Sequence, residues 1–294
     1  MDNIIHKPET MSHPLLDTRR IEETPGAYVK AAGEVFAVFG EPIQDSGNIS
    51  YGVRIGDERF FIKTAGRPDD LRPFLPYPDR VALLRNAARL SDTCDPPALP
   101  RLYNVIESPH GPLLVYEWVD GGLLHVRREN RDDPRSPHQR FRSLPPDEIL
   151  QALDAIFEVH HQLAKLGWIA VDFYDGSLIY DFERREVHLV DLDNYHEGPF
   201  TNEMGRMFGS TRFMAPEEFQ LGASIDERTN VFTMGRTVAV FLSDSTLERE
   251  PFRGTDALYE VMRRACWENR KWRFESMAAF HAAWIEARRA QPRG

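Results

Sequence analysis

Cysteine is almost missing from this chain. Cys94 and Cys266 stand far apart in 294 residues, which excludes a disulfide framework and any thiolate-based metal spacing. Long apolar runs are missing too. No stretch approaches the length of a membrane-crossing helix, and the opening MDNIIHKPET lacks the basic-then-apolar order of a secretion signal. The expected location is therefore the cytoplasm, with no membrane partner. Positive charge is in deficit, with a formal net charge of -10, so a nucleic-acid backbone is not the expected partner either. The ten histidines form no zinc pattern; His160 and His161 are adjacent, point to different sides of a helix, and read as structural. No internal repeat is present.

What remains is ordinary for a globular protein: 41% hydrophobic and 28% charged residues, enough chain for about two domains with real cores. Residues 1–30 are polar, broken by Pro8, Pro14 and Pro25, and read as an N-terminal extension lying over the fold. From Glu34 the character changes. Residues 35–39, 49–55 and 59–64 are short runs rich in β-branched and aromatic residues, the second and third joined by the turn signal Gly56-Asp57. The loop QDSGNIS separates the first two runs. A helix is predicted over 79–90, with Val81, Leu84 and Ala88 on one face. Strands at 101–107 and 113–118 follow, joined by SPHGP, and Asp120-Gly121-Gly122 reads as a hinge.

The second half is helical. The arginine-rich segment from Val126 to Pro146 reads as a solvated loop. Residues 147–166 form an amphipathic helix that Gly167 stops. Residues 230–242 are apolar nearly all round, which predicts a buried central helix. Two more helices are expected over 255–267 and 275–287. Between the first and second of these helices lie two apolar runs, 178–180 and 187–190, which Glu183-Arg184-Arg185 can connect as a hairpin. Asp172 precedes the first run and Asp191 ends the second. A hairpin would bring the two carboxylates together, one suited to act as a base and one as a magnesium ligand. From this stretch alone, a pair of unrelated surface aspartates is an equal reading.

Taken in order, these segments resemble the protein-kinase fold from about residue 34 onward. The resemblance implies an α+β, two-lobed architecture, with a small β-rich lobe over 31–119 and a larger helical lobe over 120–294. FFIKT looks like the family's third strand, which makes Lys63 the residue that would hold the ATP phosphates. Gly47 and Asn48 fall in the phosphate loop. LLVYEWVDGG resembles the hinge, giving the Glu117 carbonyl and the Val119 amide to the adenine edge and placing Tyr116 at the back of the pocket. IAVDFYDGS occupies the catalytic-loop position, so Asp172 resembles the catalytic aspartate, and LVDLD makes Asp191 the Mg²⁺ ligand. GSTRFMAPEEF is the most specific match; its Glu217 is expected to pair with Arg273, and Ser210 falls where the family often has a substrate-proximal hydroxyl.

Several family residues are missing. The HRD arginine is Val171, the catalytic-loop asparagine is Ser177, a weaker metal ligand, and the nearby lysine is Tyr174. DFG reads Asp191-Leu192-Asp193, which removes a flexible glycine and adds a carboxylate, Asp193, beside the metal position. The aspartate that usually opens the buried helix is Asn230, whose amide can still bond the catalytic-loop backbone. The 79–90 helix has no glutamate for Lys63, and QDSGNISYG has only Gly47 and Gly52. The resemblance implies an ATP- and Mg²⁺-dependent serine/threonine-type protein kinase acting on a protein substrate or partner. A pseudokinase scaffold and a small-molecule kinase of the aminoglycoside or choline type are the alternatives.

Overall fold

Two-residue spacing between β-rich runs dictates the first sheet. In the computed structural model, which describes residues 12–40, 46–70 and 74–290, the turn Gly56-Asp57 joins β2 (Ile49–Ile55) to β3 (Glu58–Thr64). Gly56 has φ of 59°, the left-handed value a two-residue hairpin turn demands and glycine supplies without strain. With β1 (Glu34–Phe39), β4 (Leu102–Ile106) and β5 (Leu113–Glu117), they form a five-stranded antiparallel sheet in the order β1-β2-β3-β5-β4.

This sheet belongs to a compact unit that takes in the chain up to Ala88 together with Arg101–Trp118. Its core holds more of the N-terminal segment than the polar composition suggests. Leu15, Ile21 and Val29 are buried with Val53, Phe60, Ile62, Ile106 and Val115. Pro25 does not break the chain. It opens α1 (Pro25–Ala32), where a proline's missing N–H costs nothing. Asn104 donates to the carbonyls of Leu15 and Thr18 at 2.8 Å each, and Arg20 bridges to Glu107 in parallel register. So residues 12–32 are an integral part of this unit, which sets them apart from the expected extension. The opposite sheet side packs on α2 (Tyr77–Thr93), with Leu84 and Ala87 against Ala65 and Leu114, and Tyr116 at the margin.

A second unit comprises Arg89–Pro100 and Val119–Gly294. Its core is helical: α4 (Pro146–Lys165), α5 (Glu227–Leu242), α6 (Asp256–Ala265) and α7 (Met277–Arg289). α4 buries Leu150, Leu153, Ile156, Phe157, His160 and Leu163, the predicted apolar face. α5 buries thirteen of its sixteen residues, so it runs through the core, and Asp226 caps its start by accepting from Arg228 N at 2.9 Å. Phe157 meets Phe280 and Trp284 edge-on, with centroids 5.0 and 4.9 Å apart. Outside that aromatic contact, Asp154 on α4 accepts from Trp284 Nε1 at 2.6 Å and from Arg288 on α7.

Short strands complete this unit. β6 (Gly122–Leu123), β8 (Leu178–Asp181) and β9 (Glu186–Leu189) form a three-stranded sheet, while β7 (Trp168–Ile169) pairs with β10 (His196–Glu197) and β11 (Phe200–Thr201) with β12 (Ser224–Ile225). One expectation gains a further reason here and one is corrected. The Gly121-Gly122 pair serves close packing: Gly122 lies in β6, and a Cβ on Gly121 would meet the Tyr180 carbonyl at 2.5 Å. The arginine-rich segment is not simply a solvated loop either, because it contains α3 (Pro137–Arg142) with His138 and Phe141 buried. Ser136-Pro137 was the signal for that helix, a capping serine that accepts from Gln139 N at 3.2 Å followed by proline in the first turn. Among the described residues there are seven α-helices, none long and apolar enough to cross a membrane.

Candidate functional site

The hairpin predicted from two apolar runs forms, with Leu178 opposite Leu189 and Asp181 opposite Glu186. At its open end, Val190 N donates to the Ser177 carbonyl at 2.9 Å, which holds the residue before Asp191 against the end of the Asp172 loop. Just beyond, Asn194 Nδ2 donates to Asp172 Oδ2 at 3.2 Å. The segment that carries Asp191 and Asp193 therefore turns back onto Asp172. Asp172 and Asp191 have φ of 62° and 61°, left-handed conformations that cost a non-glycine residue energy and tend to persist at functional sites.

The Asp172 loop is fixed from below. Asn230 on α5 donates to the Ala170 carbonyl at 2.7 Å and accepts from Ala170 N at 2.8 Å, a two-way bond that satisfies the buried peptide. His160 donates from Nδ1 to the Ile156 carbonyl at 2.7 Å and accepts at Nε2 from the Tyr195 hydroxyl at 2.8 Å. Burial pushes the imidazole down to about 4, so it is neutral and structural, as the sequence indicated. Tyr195 is held well above its usual range, first by burial and then by the Asp172 charge.

Gly209, in the loop after β11, approaches Asp172. A Cβ there would lie 3.6 Å from Asp172 Oδ1, and φ of 125° restricts the position to glycine. Ser177 is buried, and its hydroxyl donates to the Asp172 carbonyl at 3.5 Å, a long bond that turns it toward its own loop. Asp191 is exposed, Asp172 partly exposed, and Asp193 buried.

Two ion pairs anchor the segment that follows. Glu217 and Arg273 form the expected pair in bidentate geometry, 2.6 and 3.0 Å, with both side chains buried. Glu217 also accepts from the Thr229 hydroxyl at 2.9 Å. Desolvation opposes its ionisation, but Arg273 outweighs it and lowers the pKa. Its neighbour Glu218 lacks such a partner. Burial raises it to about 8, while Oε2 accepts from Ala215 N at 2.6 Å.

The second pair was not foreseen. Asp175 is wholly buried beside the Asp172 loop and contacts Arg212 at Oδ2, His125 Nδ1 at 3.1 Å and His138 Nδ1 at 3.5 Å. Burial alone would raise Asp175; the His125 and Arg212 contacts reverse this and lower it. Its signal in the sequence was an extra acid in FYDGS set against an extra arginine in STRF, which no local spacing connects.

The other expected site residues, Val119 excepted, belong to the first unit. Lys63 is buried on β3, opposite Ser50 on β2 and Leu114 on β5. Gly47 has φ of 82°, and Asn48 is buried with its Oδ1 lacking a hydrogen-bond partner. Gln44 and Asp45 of the same loop lie outside the described residues. Gly52 sits within β2, where a Cβ would strike Phe36 and Trp118 at 2.8 Å; its role is packing. Glu117 ends β5 and Val119 opens the second unit, so the boundary falls between the two predicted adenine contacts.

Sequence reasoning passed over Arg80. Only 1% exposed, it reaches from α2 to the Gly47 and Ala65 carbonyls at 2.7 Å each and to the Arg67 carbonyl at 3.1 Å. A Cβ on Gly66 would lie 2.0 Å from the Gly47 carbonyl, so the loop and the end of β3 are in backbone contact. Arginine suits this place because one planar fork can serve several carbonyls.

Exposed and part-exposed carboxylates at 191 and 172 fit a magnesium ion, which keeps several waters and takes one or two protein carboxylates. Among the described residues no group of three or more His, Cys, Asp or Glu converges as an all-protein cage. No protein-family model matches the chain, and no curated protein matches it.

Proposed function

We propose that this chain is an ATP- and Mg²⁺-dependent phosphotransferase with a two-lobed protein-kinase-like fold, acting as a serine/threonine-type protein kinase in the cytoplasm. The first unit corresponds to the nucleotide lobe and the second to the helical lobe. One observation carries the reading: the β8–β9 hairpin and the Asn194 bond bring Asp172 and the Asp191 segment together, both aspartates in a costly backbone conformation.

Asp172 serves as the base, orienting a substrate hydroxyl and accepting its proton, while the Asn194 amide holds the other carboxylate oxygen in place. Asp191 would hold Mg²⁺, with Asp193 and Ser177 as further candidates; when bound, the ion neutralises charge on the phosphates. Lys63, Gly47 and Asn48 would face the phosphates, and the Glu117 carbonyl and Val119 amide the adenine. Gly209 leaves room beside Asp172 for the incoming hydroxyl.

A second reading, a pseudokinase that binds a protein partner without catalysis, draws support from Ser177. Its hydroxyl is turned to the Asp172 carbonyl of its own loop. Purified protein with Mg-ATP and a generic protein substrate separates the two. The kinase reading expects phosphate incorporation that Asp172→Asn abolishes, together with a nucleotide-induced rise in melting temperature. Thermal stabilisation without incorporation supports the pseudokinase. Neither effect, or labelling confined to a small metabolite, overturns the protein-kinase assignment.

A further inference from the structure

Buried polar atoms are normally hydrogen-bonded, so a group of unsatisfied donors in one place needs a physical cause. Among the described residues, eleven buried side-chain nitrogen or oxygen atoms have no hydrogen-bond partner, and five of them gather around Arg212: Arg131 Nε, Arg142 Nε, both Nε and Nη1 of Arg212 itself, and His138 Nδ1, which lies 3.5 Å from Asp175 Oδ2, beyond a good hydrogen bond. The remaining six are scattered over six residues. This concentration marks the region.

Charge agrees with the donor count. Arg131 and Arg142 each lie within electrostatic reach of Arg212, and burial first, then repulsion from Arg212 among others, lowers both. His138 is pushed down to about 4, first by burial; Asp175 opposes this, and the three arginines reinforce it. Asp175 is the buried anion in the group, and it is already shared among Arg212, His125 and His138. Asp132 and Asp244 act on the rim, and Asp244 is turned to Ser243 and Thr246. Asp175 is the acid that bonds to the cluster directly, and both of its oxygens are taken. Arg212 keeps 15% of its side chain exposed and Arg131 is partly exposed, so the group is not sealed from solvent.

From this we infer that Arg131, Arg212 and His138, gathered around Asp175 beside the Asp172 loop, form a binding site for a single phosphoryl oxyanion, free phosphate or a phosphate monoester on a protein side chain. Tetrahedral oxyanions match because guanidinium groups bind them through charge-assisted N–H donors, and Arg212 has two unpaired ones, at Nε and Nη1, besides the Nη2 taken by Asp175. The site does not depend on phosphoryl transfer at Asp172. If transfer occurs there, the site selects substrates that carry a phosphate near the acceptor hydroxyl.

The test uses the full chain free of nucleotide, with inorganic phosphate titrated against chloride at constant ionic strength. Melting temperature and equilibrium dialysis are the readouts. A saturable rise specific to phosphate is expected. Arg212→Lys retains a cation for Asp175 but removes the two unpaired donors, and Arg131→Gln removes another. Each is expected to weaken phosphate binding at least about ten-fold, the loss of one good charged contact, with the melting temperature in chloride kept. Lys63→Met should leave phosphate binding unchanged. A phosphoserine peptide that binds more tightly than phosphate identifies a phosphorylated residue as the ligand; tighter binding of free phosphate identifies the ion. No phosphate-specific rise, or a rise lost in Lys63→Met and kept in both arginine variants, overturns the site. Should Arg212→Lys fail to fold, Arg131→Gln decides. A chain without kinase activity would leave these outcomes unaffected.

Discussion

Glu218 shows how one position can carry an opposite charge state from its neighbour. Glu217 has Arg273 and is ionised; Glu218, beside it, has a backbone amide and burial. Its folded pKa of about 8 lies above the ordinary 4.5, so the folded protein binds the extra proton. This contribution to stability is complete below pH 4.5 and is lost as pH rises to about 8, with a slope of up to about 1.4 kcal/mol per pH unit. Glu218→Gln retains an acceptor for Ala215 N and removes the titration. The variant should therefore gain stability over the wild type progressively from pH 4.5 to 8 in urea unfolding. A constant difference across that range would mean Glu218 is ionised in the folded state.

Within elements, α2 is anchored by a buried arginine. The sequence offers Lys63 no glutamate on this helix, but Arg80 ties the helix to Gly47, Ala65 and Arg67 through backbone carbonyls. That clamp joins helix, loop and strand through backbone carbonyls, with the Asp70 charge adding to it. Arg80→Met removes three charge-assisted bonds and leaves buried carbonyls unsatisfied, a loss of about 2–4 kcal/mol at the values typical of such groups. Hydrogen exchange should rise at Gly47, Ala65 and Gly66 first, because the freed carbonyls sit there. Unchanged exchange at these amides would show that apolar packing of Leu84 and Ala87 holds α2 by itself. Much of this level was legible. The β2–β3 hairpin, the β8–β9 hairpin, α4 and α5 follow from two- and 3.6-residue periods, since local burial patterns record which face meets a core. α1 and α3 were not, because proline reads as a breaker until the preceding residue is known to be a cap. Buried Arg80 left no trace, because a lone arginine on a helix is ordinarily solvated.

Across the helical unit, the titrating groups set a common optimum. His138 and His160 are both depressed from 6.5 to about 4, so their contribution to stability is present above 6.5 and lost as pH falls toward 4. Glu218 acts in the opposite sense over 4.5 to 8. Between 4.5 and 6.5 two rising slopes outweigh one falling slope; above 6.5 the falling slope stands alone. Unfolding free energy is expected to peak near pH 6.5. Replacing His160 with Gln should flatten the acid side and move the maximum downward, which a pH series of denaturant midpoints measures. A maximum above pH 8 would contradict the assigned charge states.

The Asp172–Asp191 stretch shows where the two kinds of information divide. The amino-acid sequence alone determined the hairpin and its two flanking acids, because strand periodicity is written along the chain; the Glu217–Arg273 pair was expected only through the resemblance of GSTRFMAPEEF to a known family. Tertiary structure decided what surrounds them. Asn194 and Gly209 on Asp172, the bond of Ser177 to its own loop, and Arg212 on Asp175 join positions up to 37 residues apart. No period or local propensity encodes such contacts. They arise because burial forces each polar group to find whichever partner the packed core brings within reach.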